Sequence, residues 1–321
     1  MKAKFSKSMI DAQDYNDLLN QAKQMKSTGN YTHRLDSHSA GTLPTKKMGS
    51  GMDYAESRPY QIGDDPRFIN WRLTARSNDT LVKNFHAESS PTLCVLMDRG
   101  ATMRFGTRKR LKVTQAMRVA TMLSLVSQQH RLALSGMILD ENENGNQWFP
   151  SSQNGQAFNS WIDAVTDFCS PLFTNEVSSK TSNNSINQPK DWRLILQNLA
   201  DKNPTGSLIY LVSDFAGLTK EHQSTLEALQ AQHHVIALHI SDSAEQSLSN
   251  NGTLRVKNSQ SNTLHLVESG SDKQRAKFQS RALAYQESIK KIFEERGIPF
   301  ISISTIDDDL ATIIPLPLEA M

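Results

Sequence analysis

Beyond Pro91 the sequence alternates between short apolar runs and longer segments with helical spacing, and this alternation constrains the fold most strongly. The apolar runs are long enough for buried strands, and they cover residues 93–97, 132–139, 207–212, 234–240 and 299–304. Trp148 and Phe149 indicate a further, short edge strand after the second of these runs. The segments between them have helical patterns, as at 219–232 and at 111–128, where apolar residues recur along one face. Strands that alternate with helices form right-handed crossovers and a mostly parallel sheet covered on both faces. We therefore predict an α/β fold with a doubly wound, mostly parallel sheet.

The chain before residue 90 has a different pattern. Helical spacing at residues 14–26 is followed by a Gly-, Ser- and Thr-rich loop at 38–51, and then by short polar and aromatic pieces around a Gly-Asp-Asp-Pro turn. We predict an N-terminal extension of one helix and short strands over residues 1–90, and an α/β domain over residues 91–321. Two alternating segments with a polar turn predict a hairpin insertion at 253–268.

Composition narrows the class of protein. None of the apolar runs approaches the roughly 20 residues that cross a bilayer, so we expect a soluble protein without a membrane span. The N-terminal residues lack the apolar region of a secretory signal, and the chain has two cysteines, which together favour the cytoplasm. A net charge of +2 is too small to require a polyanionic partner.

Two of the predicted strands end in aspartate. Asp98 follows the first strand and Ser213-Asp214 follows the fourth, so both carboxylates are expected at the same edge of a parallel sheet. The pattern resembles the von Willebrand factor A fold, whose metal-ion-dependent adhesion site begins with Asp-x-Ser-x-Ser after strand one. The resemblance implies a hard divalent cation such as Mg²⁺, held by oxygen ligands.

The sequence departs from that adhesion site. Asp98 matches its carboxylate, Thr102 replaces the second serine, and Asp214 resembles its later aspartate, but Gly100 has no side-chain ligand at the first serine position. The threonine expected between them has two candidates, at positions 174 and 181. Two interpretations remain open. One is a degenerate Mg²⁺ site with water in the gap, and the other is a pair of carboxylates that hold the strand ends through hydrogen bonds and ion pairs.

A run of basic residues surrounds the start of the helix after the first strand. It consists of Arg99, Arg104, Arg108, Lys109, Arg110 and Lys112, without an acid among them. The dipole at a helix N-terminus favours anions rather than cations. The run therefore predicts either a binding patch for an anion or an acidic partner, or a solvated face.

Upstream, residues 49–88 contain a dense set of charged and aromatic positions. The set closely resembles the signature of the domain of unknown function 58 family. Its matching residues are Gly51, Tyr54, Glu56, Arg58, Tyr60, Gly63, Asp64, Asp65, Arg67, Ile69, Trp71, Ala75 and Arg76. The likeness extends over about residues 40–240, with Asn70 at a position where the family often has an acid.

The charged residues of the signature permit two roles. One is a partly buried ion-pair network around Trp71 formed by Glu56, Arg58, Asp64, Asp65, Arg67, Arg72 and Arg76. The other is direct contact with a partner. The family resemblance implies adaptors of MoxR-type AAA+ ATPases, alongside von Willebrand A-like proteins, in the maturation or assembly of other proteins in bacteria.

Other function classes have less support in the sequence. It contains no phosphate-binding Gly-rich loop, no His-Glu-x-x-His and no Gly-x-Ser-x-Gly. We therefore predict a non-enzymatic interaction module without a cofactor, apart from the degenerate Mg²⁺ site. Two alternatives are a metal-dependent hydrolase using Asp98 and Asp214, and a nucleic-acid-binding protein using the basic run with Trp71 and Phe105.

Overall fold

The computed structural model describes residues 9–25, 54–61, 64–77, 79–85, 92–140, 145–169, 190–248, 250, 252–257 and 264–317. The strands within these ranges are β1 (Tyr54–Pro59), β2 (Leu81–Phe85), β3 (Thr92–Asp98), β4 (Ala133–Leu139), β5 (Gln147–Ser152), β6 (Leu208–Ser213), β7 (His234–Ser241), β8 (Thr253–Lys257), β9 (Leu264–Glu268) and β10 (Phe300–Ser304). The helices are α1 (Ala12–Gln24), α2 (Trp71–Thr74), α3 (Lys112–Gln129), α4 (Gly155–Thr166), α5 (Trp192–Lys202), α6 (Gln223–Gln230), α7 (Ser243–Gln246) and α8 (Asp272–Glu294).

Six strands pair into one sheet in the order β10–β7–β6–β3–β4–β5. All neighbours are parallel except β5, which lies antiparallel to β4 at the sheet edge. The mostly parallel α/β sheet predicted from the sequence is confirmed. The edge strand that Trp148 and Phe149 predict is also present.

Helices cover both faces of this sheet. The alternation of side chains along β3 sends Leu93, Val95 and Met97 to one hydrophobic core, and Cys94 and Leu96 to the other. Residues of α1, α3 and α4 pack in the first core, and residues of α5, α6 and α8 pack in the second. The helix predicted over residues 219–232 is shorter than expected, because the chain forms a 3₁₀ turn at Lys220–His222 before α6.

The structure divides the chain differently from the predicted extension at residues 1–90. Residues 1–28 group with 91–321 in one compact unit, and residues 29–90 form a second. The reason is the apolar face of α1, on which Leu18 and Ala22 are buried in the first core. Gln21 adds two hydrogen bonds, from its Nε2 to the carbonyl of Asp308 at 3.0 Å and from the N–H of Leu310 to its Oε1 at 2.8 Å.

Two hairpin-like pairs complete the described structure. β1 and β2 pair antiparallel in the smaller unit. β8 and β9 pair antiparallel within residues 253–268, where the sequence predicts a hairpin. None of the helices in the described part of the chain combines the length and hydrophobicity that a bilayer-crossing segment needs.

Candidate functional site

The carboxyl ends of β3 and β6 meet at one edge of the sheet. The strands are parallel neighbours and Met97 lies opposite Val212, so Asp98 and Ser213 come next at the same level. The chain moves from β3 to β4 on one side and later to β6 on the other, and open α/β sheets bind ligands at such a reversal. We call this edge the rim and define it by the acidic residues that follow three strands, Asp98, Asp214 and Asp242.

Asp98 is fully buried, and both of its carboxylate oxygens accept hydrogen bonds. Its Oδ2 accepts from the Nζ of Lys190 at 2.6 Å and from the Oγ of Ser213 at 2.5 Å. Its Oδ1 accepts from the backbone N–H of Gly100 at 2.8 Å. The Lys190 side chain is 10% exposed, so this is a buried ion pair between segments 92 residues apart.

Asp214 forms a second buried ion pair, with Lys112 at the start of α3. The Nζ of Lys112 donates to Oδ2 of Asp214 at 2.9 Å and to Oε1 of Glu245 at 2.5 Å, and 2% of the lysine side chain is exposed. Burial alone would lower the pKa of Lys112, but the attraction of both carboxylates raises it above its usual value. Burial would raise the pKa of Asp214, whereas the attraction of Lys112 and Lys190 holds it well below the usual range.

The backbone after β6 turns sharply and helps to fix these groups. Phe215 has a φ of 54°, in the left-handed region that side chains other than glycine seldom adopt. The turn lets the N–H of Phe215 donate to the Oγ of Ser213 at 2.9 Å and the N–H of Ala216 donate to Oδ1 of Asp214 at 3.0 Å. Both oxygens of Asp214 are thereby hydrogen-bonded.

The third strand-end carboxylate, Asp242, is held by uncharged donors. Its Oδ1 accepts from the Oγ1 of Thr107 at 2.5 Å, and its Oδ2 accepts from the Oγ1 of Thr305 at 2.7 Å. The N–H of Ala244 also donates to Oδ1 at 3.0 Å, which caps the short helix α7. Burial would raise the pKa of Asp242, but these hydrogen bonds lower it overall.

The residues at the rim do not fit the divalent-cation site that the resemblance implies. Asp98 and Asp214 each bind a lysine ammonium, and Gly100 provides no side-chain oxygen. The Oγ1 of Thr102 is buried without a hydrogen-bond partner in the described structure, whereas the carboxylates of Asp98 and Asp214 already bind a lysine. Nowhere in the described ranges do three or more His, Cys, Asp or Glu residues cluster as metal ligands would. Residues 174 and 181 lie outside the described residues.

The predicted basic patch is divided among several internal contacts. Arg104 pairs with Asp140 at 3.4 Å, and Lys112 belongs to the rim. Lys109 and Arg110 both pair with Asp308, the latter at 2.6 Å. Arg108 is exposed and has no ion pair within the described part of the chain. The sequence left a binding patch and a solvated face both open. The structure places four of the six basic residues, Arg104, Lys109, Arg110 and Lys112, in ion pairs with acids from distant segments.

Arg99 explains why a basic residue follows the strand-end aspartate. The residue is 6% exposed, and its guanidinium donates to the carbonyls of Ala164 at 3.2 Å, Phe168 at 3.4 Å and Asp167 at 3.5 Å. These carbonyls lie at the C-terminal end of α4, where a helix has unpaired acceptors and favours a cation. Arg99 thus ties β3 to α4.

The smaller unit contains two local ion pairs and an exposed tryptophan. Arg58 donates to both carboxylate oxygens of Asp64, at 2.8 and 2.6 Å, and Arg67 donates to both oxygens of Asp65. The hydrogen bond from Arg58 lowers the pKa of Asp64. Trp71 is 68% exposed.

Of the partly buried ion-pair network that the sequence suggested around Trp71, the described residues contain the pairs Arg58–Asp64 and Arg67–Asp65. Arg72 and Arg76 are exposed and form no ion pair among the residues that the structure describes. Among the described residues of the smaller unit, β1 and β2 form a two-stranded sheet, and no second layer of described residues covers Trp71. The side chain of Glu56 and residue Gly63 lie outside the described positions.

A model of the family described as "Protein of unknown function DUF58" matches residues 56–288, more than half of the chain. The chain belongs to this family. Uncharacterized proteins of Mycobacterium bovis and Mycobacterium tuberculosis are each 22% identical over 266 residues, which is 83% of this chain and 78% of the relative.

Two solved structures are similar to this chain at lower sequence identity. An aerotolerance-related membrane protein from Bacteroides fragilis has a TM-score of 0.40 at 10% identity, with coverage of 70% of this chain and 96% of that one. BatB, a conserved hypothetical protein from Bacteroides thetaiotaomicron, has a TM-score of 0.31 at 12% identity, with coverage of 64% and 99%.

The segment matched by the DUF58 model includes both the exposed tryptophan and the rim. Sequence reasoning missed three residues of the rim, namely Lys190, Glu245 and Asp242. A signal for Asp242 exists, since a Ser-Asp pair follows β7 as it follows β6. The sequence contains no comparable signal for Lys190, which comes at the end of a long polar segment.

Proposed function

We propose that the protein is a non-enzymatic interaction module with a von Willebrand A-type α/β domain, and that it serves as an adaptor for a MoxR-type AAA+ ATPase. In this role it assists the maturation or assembly of other proteins and needs no cofactor of its own. The cytoplasmic location inferred from the N-terminal sequence stays a prediction.

The observation that carries this proposal is the exposure of apolar and arginine side chains between residues 60 and 76, which we call the signature segment. Trp71 is 68% exposed, Phe68 41%, Leu73 39% and Tyr60 38%. Arg72 and Arg76 are exposed beside them. Several large apolar side chains exposed within one short segment favour an interaction site over a solvated face.

The composition of the signature segment fits a protein partner. Tryptophan, tyrosine and arginine are the residue types that contribute most to the binding energy of protein interfaces. Arg67 is already paired with Asp65, whereas Arg72 and Arg76 are available for carboxylates of a partner. We infer that the partner surface combines an apolar pocket for Trp71 with acidic residues around it.

The alternatives have less support. The hydrolase would need Asp98 and Asp214 free to bind a metal ion or activate water, but both accept hydrogen bonds from lysines. Nucleic acid remains a second candidate because exposed Trp71 could stack on a base while Arg72 and Arg76 contact phosphates.

The test is a binding measurement between the full-length protein and a purified MoxR-type ATPase of the same organism, with ATP and Mg²⁺ present. We expect Trp71→Ala to weaken binding by about tenfold or more, as for an interface tryptophan. The matched control is Phe168→Ala, because Phe168 is an aromatic residue with 58% exposure in the larger unit. It should bind as the wild type does.

The free proteins should be equally stable, since both side chains are exposed. An absence of binding by the wild type, or equal binding by Trp71→Ala, would contradict the adaptor proposal. A salt-sensitive gel shift with single-stranded nucleic acid that Trp71→Ala abolishes would favour the nucleic-acid alternative instead.

A further inference from the structure

Each of the two central strand-end carboxylates has a lysine ammonium against it. Lys190 lies 2.6 Å from Asp98, and Lys112 lies 2.9 Å from Asp214. We propose that these two ammonium groups are the resident cations of the rim and keep divalent metal ions off Asp98 and Asp214. This inference concerns the rim and does not depend on the adaptor role of the signature segment.

The hydrogen-bonding capacity of the carboxylates supports the proposal. Oδ2 of Asp98 accepts from Lys190 and Ser213, and Oδ1 accepts from Gly100. A metal ion bound at Oδ2 of Asp98 would have to displace the ammonium of Lys190. That ammonium would then be a buried charge without its carboxylate partner, which is unfavourable.

The burial of the lysines supports it further. The side chain of Lys112 is 2% exposed and that of Lys190 is 10% exposed. A divalent ion placed beside them would add two positive charges to groups that are already neutralised by their carboxylates. Because each ammonium is buried while it stays with its carboxylate, water would screen the repulsion between the ammonium and the metal ion poorly.

The local sequence fits the same conclusion. Gly100 removes one of the hydroxyl ligands of the adhesion-site pattern, and its N–H instead donates to the carboxylate of Asp98. Mg²⁺ requires near-octahedral oxygen coordination, and the hydroxyl of Thr102 alone adds one uncommitted oxygen. Compared with the adhesion-site pattern, Asp98 therefore lacks a neighbouring hydroxyl ligand at Gly100 and has the ammonium of Lys190 as its cation.

The experiment measures Mn²⁺ binding by the electron paramagnetic resonance signal of the free ion, together with thermal unfolding in EDTA and in millimolar Mn²⁺. We expect the wild type to show no saturable binding and no change in Tm. Lys190→Met should bind Mn²⁺ at least about tenfold more tightly than the wild type, because the competing cation is gone. Its Tm should rise with Mn²⁺.

Two variants serve as controls. Lys190→Arg keeps a cation beside Asp98 and should behave as the wild type. Lys109→Met removes a lysine from Asp308, whose side chain is 57% exposed, and should gain no affinity for Mn²⁺.

Saturable Mn²⁺ binding by the wild type that Asp98→Asn abolishes would overturn the proposal. A folded Lys190→Met variant that gains no affinity for Mn²⁺ would overturn it as well. If Lys190→Met does not fold, Lys190→Gln takes its place, because it removes the cation but keeps a hydrogen-bond donor for Asp98, and the same two results decide the question.

Discussion

Substitution of Lys112 by methionine would leave two carboxylates at the rim without the cation they share. Asp214 is 8% exposed in its side chain and Glu245 is 36% exposed, so Asp214 has little access to water. Methionine is unbranched and adaptable, so it can fill much of the space of the lysine stem. The substitution therefore tests the charge more than the packing.

The structure sets the expected magnitude. Removal of one partner from a buried ion pair costs about 3–5 kcal/mol, because a buried charge is left uncompensated. Lys109 offers the contrast, since its partner Asp308 is 57% exposed and exposed pairs contribute about 0–1 kcal/mol. We expect Lys112→Met to lower the free energy of unfolding by about 3 kcal/mol or more. Lys109→Met should lower it by less than about 1 kcal/mol.

Urea denaturation at neutral pH, followed by circular dichroism, measures these differences. The double variant Lys112→Met/Asp214→Asn removes both charges, so its loss should be smaller than the sum of the single losses by about 1–3 kcal/mol. A loss below about 1 kcal/mol for Lys112→Met, or energies that simply add, would refute the view that the rim depends on this buried pair.

Two further predictions concern the two cores. Gly136→Ala should lower the free energy of unfolding by about 1–3 kcal/mol or more, because the new Cβ would lie 2.3 Å from Cζ3 of buried Trp161. An unchanged Tm would contradict this close packing. Burial lowers the pKa of His239 to about 4 from its ordinary 6.5, so the unfolded chain binds the proton first on acidification and stability falls as the pH drops from 6.5 to 4. The loss of stability attributable to His239 is about 3 kcal/mol at most. Urea titrations between pH 7 and 4 should show that His239→Phe loses less stability on acidification by up to that amount. An equal dependence of the free energy of unfolding on pH in both proteins would argue against a buried neutral histidine.

The fold was predictable because its information is local. The continuous apolar run of β3 and the recurrence of apolar residues along α3 each follow from the burial of one element. The strand-end positions of Asp98 and Asp214 then follow from the parallel sheet. These inferences need no knowledge of which distant side chains meet.

The partners of the rim depend on long-range contacts, which the sequence pattern does not encode. Lys112 is read from the sequence as one member of a basic run, yet its carboxylates are 102 and 133 residues away. Lys109 and Asp308 are separated by 199 residues. The sequence left an ion-pair network around Trp71 and direct contact with a partner both open. The exposure of this side chain could not be predicted from local spacing, because it depends on which other segments cover it.

The hydrogen bonds between Gln21 of α1 and the segment that follows β10 set an order of events during synthesis. Leu310, which donates to Gln21, is added 289 residues later. At about 5–20 residues per second, the ribosome needs roughly 15–60 s to make that stretch. For this time Gln21 lacks both of its hydrogen-bond partners in the last segment of the chain. The apolar face of α1 can already pack on α3, which is made earlier, so the bonds of Gln21 complete a contact that the first core begins.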